Sequence, residues 1–179
     1  MDFLRRNAGI VIAFIALIAT FYQMYLQRHK DEISVRPVIT AYFSIDGREG
    51  TPRDGVYFYN GGMGNAIVHD IVISIDGITI NPPEDNNFYS AMKLLGHNAD
   101  CYVYSTPREN DFLIKNKETL FIEARKETKP ICQLDQSVFM LDEVFNKNKR
   151  LDFKIHFKSL YEEKFTYYFR ENRQVSGWR

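Results

Sequence analysis

Residues 8–26 read AGIVIAFIALIATFYQMYL, and from Ala8 to Tyr22 no side chain carries a charge. Nothing else in the chain constrains it as much. At the helical rise these nineteen residues reach roughly 28 Å, close to the thickness of a bilayer's hydrocarbon core. Arg5 and Arg6 flank one end, Arg28, His29 and Lys30 flank the other, and Tyr22 and Tyr25 stand at the depth of an interfacial aromatic belt. A cleaved signal peptide would have a shorter apolar core and small residues at positions −3 and −1 of its exit site. Here Leu17 stands two places before Ala19, and Ile18 two before Thr20. A retained single-pass helix is therefore expected, with the lipid bilayer as its first partner. The short tail with paired arginines favours a domain outside the cytoplasm, whereas Arg28, Lys30 and Arg36 weight the far flank as heavily. The side of the membrane stays open.

Within this span Gly9, Ala13, Ala16, Thr20 and Gln23 are spaced by four, three, four and three residues, a single stripe on a helix. Small residues let helix backbones approach, and Thr or Gln can hydrogen-bond across the contact. The stripe predicts a homo-oligomer formed through the membrane helix.

Beyond a charged stalk at residues 27–32, the hydrophobic period changes from helical to two. Ile39, Ala41, Phe43 and Ile45 alternate with polar neighbours as far as Asp46-Gly47. Val56 to Tyr59 and Ile67 to Ile75 read as further strands, the latter turning at Asp76-Gly77 into Ile78-Thr79-Ile80. Strands are also expected at residues 101–104 and 119–124. Leu151, Phe153, Ile155 and Phe157, followed by Phe165, Tyr167 and Phe169, predict an antiparallel hairpin with one dry face. Two short helices interrupt the strands. One carries Phe88, Met92 and Leu95. The other has Asp135 as N-cap and an apolar stripe of Leu134, Val138, Leu141 and Phe145 expected to face the core. The fold class is mainly β: an immunoglobulin-like β-sandwich, or a small β-barrel, over residues 33–171, preceded by residues 1–7 and the membrane helix and followed by a tail at 172–179.

The segment Tyr59-Asn60-Gly61-Gly62-Met63-Gly64-Asn65-Ala66, running on to Gly77, resembles bacterial membrane-anchored and adhesion-type immunoglobulin-like modules, which carry an Asn-x-Gly loop before a strand ending in Asp-Gly. It departs from them in its extra glycines. The central Trp of antibody domains is missing, since Trp178 is terminal. The resemblance implies a sandwich in a bacterial inner-membrane protein and assigns no activity.

Composition narrows the chemistry. The chain holds 23 Lys and Arg and 23 Asp and Glu; without Arg5, Arg6 and Asp2, the remainder keeps 21 against 22. A near-neutral domain is not a general nucleic-acid binder. Cys101 and Cys132 are too few for a disulfide framework or a thiolate zinc site, and form either one bridge or two buried thiols. His97 beside Cys101 would be a base and nucleophile only with a third group to orient the ring. His69, in phase with Ile67 and Ile71, reads as a core or edge histidine. The glycine loop lacks the Lys-Ser/Thr of a P-loop and reads as a turn needing positive φ. No enzyme, cofactor or metal site is expected. Lys147, Lys149 and Arg150 form the densest basic cluster, able to touch a phosphate or lipid headgroup but also suited to a solvated turn. Trp178 offers a terminal aromatic to a partner.

Two function classes follow. The simpler is a membrane-tethered module recognising a protein partner. The alternative is an effector of a bacterial defence or toxin system, whose helices cluster to breach the membrane.

Overall fold

The computed structural model of the chain describes residues 2–45, 54–80, 87–126, 129–142 and 150–178. They divide into two units, Met1–Val35 and Arg36–Arg179.

The first unit is one helix, α1 (Asp2–Ser34). From Asn7 it is long and apolar enough to cross a membrane. It runs through residues 27–32, expected as a stalk, because paired side chains support the extra turns. Gln27 donates to Asp31 at 3.3 Å and Arg28 to Glu32 at 3.4 Å, both at i,i+4 spacing. Pro37, which cannot continue a helix, follows soon after its end.

The second unit holds two antiparallel sheets. β1 (Ile39–Ser44), β2 (Gly55–Asn60), β7 (Glu118–Ala124) and β5 (Tyr102–Tyr104) form one, in the order β1-β2-β7-β5. The other follows the order β10 (Arg173–Ser176), β9 (Lys164–Tyr168), β8 (Leu151–Lys158), β3 (Ala66–Ile75) and β4 (Ile78–Thr79), with β6 (Phe112–Leu113) also on β3. The expected hairpin is present in β8 and β9, paired from Lys154↔Tyr168 to Lys158↔Lys164. Asp76 and Gly77 turn β3 into β4 with φ of 52° and 81°, the two positive values that a tight two-residue turn requires.

Aromatic side chains join the sheets. The Phe58 ring (β2) lies 4.0 Å from Phe121 (β7), 5.4 Å from Phe153 (β8) and 5.7 Å from Tyr167 (β9), centroid to centroid. Phe88 of α2 (Asn87–Leu95) closes the cluster edge-on to Phe121 and Phe153. Each such pair is worth about 0.5–1.5 kcal/mol beyond its buried area. Tyr167 also ties the sheets through its hydroxyl, which accepts the Ala41 N–H at 2.8 Å and donates to Asn172 at 2.7 Å. Burial pushes its ionisation up to about 12.

The last residues, expected as a loose tail, form β10 and grip the root of the domain. Gln174 accepts the Ile39 N–H at 2.9 Å and donates to the Pro37 carbonyl at 3.0 Å. The glycine loop grips the same root from another side: Gly61 and Met63 donate to the carbonyls of Val38 and Arg36. Gly62 is glycine for room, with φ outside the positive range, because a Cβ there would meet the Val38 nitrogen and the Arg36 oxygen. This corrects the expected positive-φ turn.

Candidate functional site

Helix α3 (Pro130–Met140) starts earlier than the apolar stripe suggests, with Pro130 in its first turn and Lys129 as N-cap. Asp135 therefore sits in mid-helix, and its carboxylate turns inward. It accepts the Asn98 N–H at 3.0 Å and the Tyr102 hydroxyl at 2.9 Å, with His97 Nδ1 3.5 Å away. Tyr102 is buried, and burial, followed by Asp135, holds its ionisation far above the ordinary tyrosine range. Next to Asp135, Gln136 donates to the carbonyls of Cys101 at 2.9 Å and Arg125 at 3.3 Å. A disulfide joins Cys101 to Cys132 with their Cα atoms 5.2 Å apart. Phe139 packs edge-on against Tyr102 and His97.

The helix thus buries Cys132, Phe139 and Met140 in the core, with Asp135 and Gln136 half-buried beside them, and leaves its aliphatic stripe to solvent. Ile131 is 63% exposed, Leu134 68%, Val138 40% and Leu141, at the C-cap, 58%. The core-facing stripe expected from the sequence is reversed. Burial of Phe139, Met140 and Cys132 on the opposite side favours this orientation, and so do the buried Tyr102 hydroxyl and Cys101 carbonyl, which would cost about 1–3 kcal/mol each if left unmatched. Phe145, the last member of the expected stripe, lies outside the described residues. A trough of about 460 Å³ runs beside this face, lined by Leu95, His97 and Asn98 opposite Ile131, Leu134, Asp135, Val138 and Asp142.

The other candidate residues are scattered. Gly9, Ala13, Ala16, Thr20 and Gln23 all lie exposed on α1, with the Thr20 hydroxyl donating to the Ala16 carbonyl at 2.8 Å. Lys147 and Lys149 lie outside the described residues. Arg150 grips Asp76 with two nitrogens, the shorter contact 2.9 Å, and holds the Asp76 carboxyl below the usual carboxylate range. That engagement suits the solvated-turn reading. Cys101, consumed in the disulfide and 1% exposed, offers no thiolate to His97. Among the described residues, no three His, Cys, Asp or Glu side chains cluster as a metal site would need.

Trp178, expected as a free terminal aromatic, packs on the domain's own surface. His69 stacks on its ring at 4.1 Å, the Lys164 ammonium lies 4.2 Å from the ring centroid, and the indole N–H donates to the Phe157 carbonyl at 3.4 Å. His69 reaches it because the β3–β8 register shifts between Val68 and Asp70, breaking the alternation that placed His69 with the core. Close by, Thr166 gives its only hydroxyl proton to the Gly177 carbonyl, so His156 Nδ1, 3.0 Å away, must be the N–H that donates to Thr166. Burial, with Lys154 and His69 nearby, lowers the pKa of His156.

No protein-family model matches the chain, and neither does any curated protein or solved structure.

Proposed function

We propose that the chain is a single-pass, membrane-tethered interaction module of a bacterial inner membrane, with α1 as the anchor and the two-sheet domain recognising a protein partner. The observation that carries the proposal is helix α3, anchored inward by Phe139, Met140, the Cys132 bridge and the bonds of Asp135 and Gln136, with Ile131, Leu134, Val138 and Leu141 left to solvent. An apolar surface held open by specific bonds serves a binding role rather than a catalytic one. The sandwich is immunoglobulin-like in this reading. Its support is the strand order β1-β2-β7-β5 against β9-β8-β3, which follows that of constant-type immunoglobulin sheets.

The disulfide favours the oxidising, extracytoplasmic side for the domain, since reducing compartments keep such thiols apart. The exposed stripe from Gly9 to Gln23 supports association of the anchors within the bilayer. The same stripe favours a second reading, an effector whose helices cluster to breach the membrane. Induced expression separates the two. Rapid loss of membrane potential, abolished by Gly9→Leu with Ala13→Leu, belongs to the effector alone.

The module is tested with a photo-crosslinking residue at Leu134 in the full chain in its native membrane, and at Lys115 as a control. A discrete adduct at Leu134, absent at Lys115, is expected. No adduct from any exposed position of the domain refutes the proposal.

A further inference from the structure

We propose that the outward face of α3 receives a cationic amphipathic helix from another protein. The inference rests on the interaction-module reading and names the partner's chemistry. Ile131, Leu134, Val138 and Leu141 follow spacings of three, four and three residues, so they form a narrow, straight ridge along α3. From their exposures they leave on the order of 400 Å² of apolar surface open, the size of the largest patch on a typical monomer, which often serves binding. The trough beside the ridge, about 460 Å³ with Leu95 on its far wall, has the form in which amphipathic helices lay their apolar faces.

Charge selects among the occupants. Asp142 presents its carboxylate on the trough, the Asp135 carboxylate lies in the wall bonded to Asn98 and Tyr102, and among the described residues no Lys or Arg lines the trough. An anionic bilayer surface would call for basic residues at this place. A second copy packed antiparallel by a two-fold across the ridge would set the Asp142 flank against itself, like charge to like. A helix with leucines at the matching spacing and lysines or arginines on one flank satisfies both the apolar ridge and the Asp142 carboxylate beside it. The face is also preorganised. The Cys101–Cys132 bridge, the Gln136 bonds and the Asp135 bonds fix α3, so little ordering is left to oppose binding.

The test uses the full chain in zwitterionic nanodiscs, with empty nanodiscs as background. The probe is a fluorescein-labelled helical peptide with leucines at three- and four-residue spacing and lysines on one flank; a second peptide has glutamate in place of each lysine. Anisotropy should show saturable binding of the lysine peptide alone. Leu134→Gln should weaken it about tenfold or more, and Asp142→Asn about three- to tenfold with a shallower salt dependence. Both positions are exposed, and near-UV circular dichroism confirms that the variants fold. Equal binding of the two peptides, or affinities untouched by both substitutions, overturns the proposal. So does sedimentation that shows the chain pairing through this face, with Leu134→Gln breaking the pair. If the peptide fails while the crosslinker at Leu134 still forms its adduct, the cationic partner is refuted and the interaction module stands. If no exposed position of the domain forms an adduct either, the module falls too.

Discussion

Replacing Asp135 and replacing Leu134 should have opposite consequences to those the hydrophobic pattern suggests. Asp135→Ala leaves the buried Tyr102 hydroxyl without its acceptor and frees the Asn98 N–H. Water can reach Asn98, so the hydroxyl dominates, and a buried donor stripped of a charged partner costs about 2–3 kcal/mol. Leu134, 68% exposed, has only about a third of its ~2 kcal/mol transfer energy at stake. Leu134→Ala should therefore cost about 0.5 kcal/mol, part of which the better helix propensity of alanine returns. For a domain of this size each kcal/mol moves Tm by roughly 3 °C, giving a loss of about 6–9 °C for Asp135→Ala and under about 2 °C for Leu134→Ala. The assay is thermal unfolding of the full chain in nanodiscs, followed by near-UV circular dichroism and by the fluorescence of Trp178, the single tryptophan. If Leu134→Ala costs the ~3–5 kcal/mol of a core leucine while Asp135→Ala is neutral, α3 faces the other way and the binding face does not exist.

Three further outcomes are expected. Exchanging both Cys101 and Cys132 for serine should lower stability by about 3–4 kcal/mol, the chain-entropy value for a loop of this length, as read by denaturant midpoint at constant slope; no change would mean the bridge does not form. His156 is held below its ordinary pKa of 6.5, so the unfolded chain takes up its proton first. Its contribution is complete above about pH 6.5 and is lost as pH falls from there toward the lowered folded value, and His156→Gln should flatten that part of the stability profile. Gly62→Ala drives a methyl into the backbone at Val38 and Arg36, and should cost about 1–3 kcal/mol and speed proteolysis near Pro37; wild-type stability would contradict the close approach there.

Much of the framework was legible because it rests on local physics. The period of two in Leu151, Phe153, Ile155 and Phe157 survives intact as alternating burial along β8. Asp76-Gly77 turns as its dipeptide chemistry demands. Failures came where a distant partner overrides the pattern. Asp135 looks like a cap until Tyr102 and Asn98 are seen in front of it. Gln174 looks like tail until it meets the Ile39 N–H, 135 residues away in sequence. His69 looks like core until the register shift in β3 turns it outward to Trp178. The exposure of the α3 stripe was invisible for the same reason: an apolar stripe is read as buried unless the contacts that hold the opposite side inward are known.

The most direct test of a tethered domain outside the cytoplasm is surface labelling of intact spheroplasts with a membrane-impermeant, amine-reactive biotin, followed by carbonate washing and peptide mapping. Lys115 and Lys126, both exposed, should carry label on a chain that stays with the washed membranes. Label that appears only after lysis, or a chain released into the wash, would contradict the tethered, outward-facing domain.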